Sequence, residues 1–200
     1  MVEVRMTDLV YGIGINDRSK PARFDSTRMT KEYAFWKRML ERCGCEKRKT
    51  EFPTYRTCAV SENFKHYSYF YDWCQSQIGF SGDGWHLDKD LLIKGNKLYS
   101  EDSCLFLPPK VNTLILNCKA HRGKLPVGVC LEKSSGKFTS DCQYEGRRKK
   151  IGRYSTAQAA FEAYKTFKES YIKQVAEQYK SQIDPRAYKA LLEYEVNIED

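Results

Sequence analysis

Between Thr30 and Cys43 the apolar residues Tyr33, Trp36, Met39 and Leu40 recur at helical spacing, which predicts a helix of about three turns. Ser61 opens a second helical pattern, with Phe64, Tyr67, Phe70, Tyr71, Trp73 and Cys74 forming a broad apolar stripe that closes near Gly79. Core packing is the expected role of the aromatics on both helices. Residues 1–29, with Gly12, Gly14, Asp17, Ser19 and Pro21, show little periodicity and read as an extended lead-in. Residues 46–53 are charged and read as a loop.

The pattern then changes. Residues 85–93 read as a strand, Lys94-Gly95-Asn96-Lys97 as a tight turn and Leu98-Tyr99 as the returning strand. Residues 104–107 are short and extended, and Pro108-Pro109 opens a helix to about Leu116, proline being tolerated in a first turn. Three further strands are predicted at 127–132, 138–144 and 147–154, with Ser134-Ser135-Gly136 and Glu145-Gly146 as hairpin turns. Ser155-Thr156-Ala157-Gln158 has the form of a capping box. Beyond it, Ala160, Tyr164, Phe167, Tyr171 and Val175 stand at intervals of four, three, four and four, so one helix can cover one face of the sheet. Asp184-Pro185 ends it, and Asp184 is the expected cap of a last helix to about Tyr194.

These elements make an α+β chain. N-terminal helices and a strand–turn–strand–helix unit occupy 1–117, a basic linker 118–124, and a three-stranded antiparallel sheet packed on a long helix 125–200.

Charge adds a partner to this picture. Residues 119–153 hold ten Lys or Arg against Glu132, Asp141 and Glu145, a net of +7 where the whole 200-residue chain carries +8. The rest of the chain is therefore almost neutral. A cationic face concentrated on one small sheet calls for a polyanion, and nucleic acid is the first candidate. The chain has eight cysteines, yet their only close pair is Cys43-Gly44-Cys45, so no zinc site is expected. Without a secretory pattern at the start, buried free thiols in a reducing cytoplasm are the expectation. No apolar run approaches the ~20 residues of a membrane helix, and no membrane partner or small-molecule substrate is expected.

Residues 126–169 resemble the APETALA-type, or ethylene-response-factor, DNA-binding domain. The likeness rests on Gly128-Val129, Ser135-Gly136-Lys137-Phe138, residues 146–152, Tyr154-Ser155-Thr156 and residues 159–164, in that order. It implies a sheet laid in the DNA major groove, where each base pair shows its own donor and acceptor pattern. The expected DNA contacts are Lys137, Thr139, Arg147, Arg148, Lys149, Lys150 and Arg153, with Lys119, Arg122 and Lys124 from the linker. Cys130, Leu131 and Glu132 stand on the first strand, where that family often has basic residues.

Residues 85–116 are similar to the ββα-metal, or HNH, nuclease unit. Trp85-His86-Leu87-Asp88-Lys89-Asp90, Gly95-Asn96-Lys97-Leu98-Tyr99-Ser100 and residues 100–112 carry this likeness. With Trp36-Lys37-Arg38-Met39-Leu40, Pro53-Thr54-Tyr55 and Tyr194-Glu195-Val196, it extends to HNH-type phage endonucleases of the homing type with an APETALA-type tail, over about residues 11–198. The resemblance implies one divalent ion, Mg2+ or Mn2+, on Asp88 and Asn112, with Asp90 as a further ligand. The implied catalytic set is His86, Asp88, Lys89 and Asn112. Lys89 follows the acid where the family usually has histidine, and Cys104 falls near the position of its orienting asparagine. His86, two residues before Asp88, shares its strand face and is the alternative base.

The expected function is metal-dependent nicking or cutting of duplex DNA in the cytoplasm, that of the host if the gene is carried by a phage. The alternative is a DNA-binding protein without cleavage that acts by occupying its site.

Overall fold

Several helices begin where a side-chain oxygen accepts from one of the first free amides. In the computed structural model, which describes residues 9–116 and 123–200, Thr30 Oγ1 accepts from the Tyr33 amide and caps α1 (Lys31–Gly44). Ser61 does the same for α3 (Glu62–Lys65), accepting from the Phe64 amide. The helix expected from Ser61 to Gly79 is broken at His66, which leaves helical geometry before α4 (Tyr67–Ser76) begins. The stretch expected to be a loop after α1 instead holds α2 (Glu46–Glu51) and a 3-10 turn, Pro53–Tyr55. Lys49–Glu46 at 2.8 Å and Arg48–Glu51 at 3.5 Å are i,i+3 pairs that favour this short helix.

The chain divides into two compact units, Met1–Pro109 and Lys110–Asp200. The core of the first is aromatic. Trp36, Phe64, Tyr67, Phe70 and Phe106 are fully buried and joined by Met39, Leu40 and Cys74. Trp36 Nε1 donates to the Phe64 carbonyl at 2.8 Å, so the largest side chain leaves no polar atom stranded.

The strands of this unit do not pair as the sequence suggests. β2 (His86–Asp88) is three residues long and runs antiparallel to β4 (Leu105–Leu107), placing His86 opposite Leu107 and Asp88 opposite Leu105. β3 (Leu98–Tyr99) pairs in parallel with β1 (Ala59–Val60). The expected hairpin between 85–93 and 98–99 is therefore absent. Its physical cause lies in Asp88 Oδ2, which accepts from the amides of Asp90 and Leu91, each at 2.8 Å, and turns the chain out of the strand. The helix α5 (Pro109–Ile115) opens with proline as expected, across the division between the units.

The second unit holds the antiparallel sheet β5 (Val129–Glu132), β6 (Lys137–Tyr144) and β7 (Arg147–Tyr154), in that spatial order. Glu145 and Gly146 both have positive φ, 49° and 75°, the geometry of a two-residue hairpin turn that matches strand twist. The long helix α6 (Ala157–Tyr179) packs on one face of the sheet and against α7 (Pro185–Leu192). Val129, Cys142, Ala160, Phe161 and Tyr164 form the contact between sheet and helix. The α6 cap is Thr156, whose Oγ1 accepts from Ala159, one residue later than the capping box predicts. Asp184 caps α7 through the Arg186 amide, as expected.

Cysteines 43, 58, 74, 104 and 142 are buried free thiols. Among the described residues no helix is long and apolar enough to cross a membrane.

Candidate nucleic-acid interface

Strand alternation sorts the cations of β7 into two sets. Lys149 lies opposite Cys142, a core residue, and its ammonium stands 4.8 Å from the ring centres of both Tyr144 and Phe167. Arg147 lies opposite Tyr144, whose ring packs on Phe167 and Tyr171 of α6. Directly opposed residues share a face, so Arg147 and Lys149 belong to the helix side of the sheet.

Arg148 and Lys150 point the other way, opposite Gln143 and Asp141. A register shift between Ser140 and Asp141 leaves Ile151 to the core and returns Arg153 to this open face, opposite Thr139. Lys137 joins them from β6, opposite Glu132 of β5. The open face thus gathers Lys137, Arg148, Lys150 and Arg153, all exposed.

Two acids hold this surface in order. Arg148 Nη2 donates to Asp141 Oδ2 at 2.9 Å, and the same carboxylate oxygen accepts from Thr139 Oγ1 at 3.2 Å. Arg153 Nη2 donates to Glu132 Oε1 at 2.6 Å, while Ser135 donates to the other oxygen. The Ser135 hydrogen bond and the Arg153 guanidinium hold the Glu132 carboxyl below its usual range. Exposed pairs of this kind add little to stability. They aim the guanidinium groups without committing them against a phosphate.

Thr139 is buried and its hydroxyl is engaged within the sheet, so it contributes to the floor of this face. Gln143, exposed opposite Arg148, is a residue the sequence reading missed. Counting by twos from Thr139 along β6 would have found it, and its amide can both donate to and accept from a base edge. Lys124 is exposed beside a 630 Å3 groove that runs along β5 to Arg148, lined also by Leu125, Val129 and Cys130. Lys119 and Arg122 fall outside the described residues.

In the first unit, His86 and Asp88 share a face of β2, with His86 exposed. Burial pushes the Asp88 carboxyl above its ordinary value, and the two amides on Oδ2 pull against that rise. Lys89 is only 7% exposed. Its Nζ donates to Asp90 Oδ1 at 2.5 Å and to the Asn96 carbonyl at 2.8 Å, and lies 5.5 Å from the Tyr99 ring centre. Asn96 Nδ2 returns a hydrogen bond to the Lys89 carbonyl at 2.9 Å. Lys89 is thereby the lock of the 89–98 loop. Cys104 is fully buried, and burial pushes its thiol up to about 12. Asn112 stands on α5 and belongs to the second unit, whereas Asp88 and Asp90 belong to the first. Among the described residues, no group of three or more His, Cys, Asp and Glu side chains gathers to hold a metal ion. The donor chemistry still fits a hard cation that keeps most of its waters, since Asp88 retains one carboxylate oxygen outside its two backbone hydrogen bonds.

Compared with protein-family models, curated proteins and solved structures, the chain matches none.

Proposed function

We propose that this chain is a duplex-DNA-binding protein that docks the open face of its C-terminal sheet in the major groove. One observation carries the reading: β7 turns Arg148, Lys150 and Arg153 to the face that α6 leaves bare, next to Lys137. The major groove admits a two-stranded β-ribbon, and β6 and β7 together carry all four of these cations. Cations at its rim would neutralise phosphates, and Gln143 with Arg148 would reach base edges. The Arg148–Asp141 and Arg153–Glu132 pairs prepare that contact by limiting the rotamer freedom given up on binding. A mobility shift at low and rising salt tests the proposal. Binding that weakens steeply with salt supports it, and no shift of duplex DNA at low ionic strength overturns it.

The HNH likeness extends the proposal to metal-dependent nicking or cutting of the bound duplex in the cytoplasm. The ligand roles of Asp88, Asp90 and Asn112 rest on that sequence resemblance. A bound Mg2+ or Mn2+ would stabilise the leaving oxygen of the phosphodiester. On this chain's side, exposed His86 beside Asp88 is the better base, because the Lys89 ammonium is committed to Asp90 and the Asn96 carbonyl. That same commitment favours a second reading, binding without cleavage that acts by occupancy. Plasmid nicking with added Mn2+ separates them: product that Asp88→Ala and Asn112→Ala abolish supports cleavage, and tight binding without product supports occupancy.

A further inference from the structure

A second cationic surface lies in the first unit, separate in sequence from the basic segment that dominates the charge of the chain. Residues 37–56 hold seven Lys or Arg against Glu41, Glu46 and Glu51, a net of +4. The structure folds this segment into α1, α2 and the 3-10 turn, and closes them around a 220 Å3 cleft. Arg38, Glu41, Arg42, Arg48, Phe52 and Tyr55 line it.

The cleft combines two chemistries. Its floor is aromatic: the Phe52 and Tyr55 rings are 5.7 Å apart, and Phe52 is 46% exposed although it is a large apolar side chain. Its walls are guanidinium groups held in different ways. Arg48 is spoken for by charge, with Nε 3.3 Å from Glu41 and Nη1 3.5 Å from Glu51, and it lies 5.4 Å over Phe52. Arg42 donates through Nη1 to the Tyr99 hydroxyl at 3.0 Å and lies 5.8 Å over Tyr55. Its partners are neutral, so its charge is aimed without being cancelled. Arg38 is exposed and makes no ion pair among the described residues.

An exposed ring beside two uncancelled guanidinium groups fits an anion that carries a flat apolar face. The volume is below the roughly 300–1,000 Å3 of a site that engulfs a small molecule, which favours one unit of a longer polymer. A paired base cannot present its face to a side chain, because its neighbours in the duplex cover it. We propose that this cleft holds one nucleotide of unpaired DNA, its base stacked on Phe52 and its phosphate on Arg38 and Arg42. The proposal rests on the reading of the protein as one that binds DNA. It adds a strand-separated region to the ligand, besides the duplex that the sheet would hold.

The test uses the full chain and two labelled probes, an oligothymidylate single strand and a hairpin duplex, followed by fluorescence anisotropy. Phe52→Ala and Arg38→Ala should each weaken single-strand binding by about tenfold, as removal of a stacking platform or of a phosphate-binding cation does, and change duplex binding less than twofold. Phe52→Tyr should restore the single-strand affinity and Phe52→Leu should not, which separates stacking from apolar bulk. Paired Arg148→Ala and Lys150→Ala should show the opposite pattern, with the weakening on the duplex. Single-strand affinity that is unchanged by Phe52→Ala and by Arg38→Ala overturns the proposal, and so does a wild-type chain that ignores oligothymidylate. Failure of duplex binding alone would remove the sheet interface and leave the result at the cleft standing.

Discussion

Arg148 and Lys149 are neighbours in the chain and face opposite sides of one strand. Arg148 reaches Asp141 at 2.9 Å on the open face, and Lys149 lies 4.8 Å from the Tyr144 and Phe167 rings on the helix side. Two cations that look equivalent in a basic run therefore have different work. On the proposed reading the first meets a polyanion, whereas the second secures the sheet to its helix by a cation–π contact worth about 0.5–1 kcal/mol.

That separation predicts unequal consequences within Arg147–Lys150. Replacing Arg148 and Lys150 by alanine should weaken duplex binding and lower the slope of log K against log salt by about 2, near 0.9 for each phosphate that is no longer neutralised. Replacing Arg147 and Lys149 should change that slope much less, and Lys149→Ala should lower the melting temperature. Anisotropy across a salt series, with thermal unfolding of each variant, measures both. Equal slope changes for the two pairs would show that the faces do not differ in function.

Asp88 predicts a pH effect. Burial raises its carboxyl above the ordinary value in the folded chain, so the folded state holds this proton more tightly than the unfolded one. The stabilisation is fully present below the unfolded value of roughly 3.9 and is lost as pH rises through the folded one. Asp88→Asn can still accept from the Asp90 and Leu91 amides and removes the buried charge. Its stability relative to wild type should therefore increase as pH rises through that window and level off above it. Denaturant unfolding at a series of pH values should show the two curves parting in this direction, while any metal-dependent nicking disappears.

Lys89 should matter to the fold. Lys89→Met keeps the length of the side chain but leaves the Asn96 carbonyl and Asp90 without their donor. Asp90 is exposed and Asn96 only partly buried, so water replaces part of what is lost, and the expected cost is about 0.5–1.5 kcal/mol, that of an ordinary hydrogen bond. Urea unfolding would measure it. A variant as stable as wild type would return Lys89 to consideration as a chemical group.

Gly128, just before β5, lies against Tyr164 of α6 with no room for a side chain. Its φ is +74°, and a Cβ there would fall 2.1 Å from Tyr164 Cδ2. Gly128→Ala combines backbone strain of roughly 1–3 kcal/mol with a clash against a core ring, and should unfold the second unit at temperatures where wild type is native. Gly136, at φ +67° with nothing within 4 Å, is the control. Gly136→Ala should cost about the strain alone, as read by circular dichroism melting.

Much of the second unit was legible in advance because its signals are local. The Ala160–Val175 stripe, the Glu145-Gly146 turn and Asp184-Pro185 each act within a few residues, and α6, the hairpin and α7 follow. The N-terminal unit was less readable. Strands of two or three residues are too short to show alternation, so nothing along residues 85–107 indicates that β2 pairs with β4 or that β3 pairs with β1. A charged stretch such as 46–51 carries no apolar stripe, and α2 went unseen for that reason.

The amino-acid order by itself determined where the cations of this protein lie along the chain, which segments coil, and that a helix could cover a sheet. It could not say which cations face outward. Arg147–Lys150 is polar throughout, so its period of two is invisible until partners are attached to it. The pairing of β7 with β6, the register shift at Ser140 and Asp141, and the Phe167 ring of α6 beneath Lys149 made that choice. The tertiary structure also set Phe52, beyond α2, beside Arg38 and Arg42, which stand one turn apart on α1, to make one cleft. Facing and convergence depend on contacts between distant residues, and local sequence does not encode such contacts in a readable form.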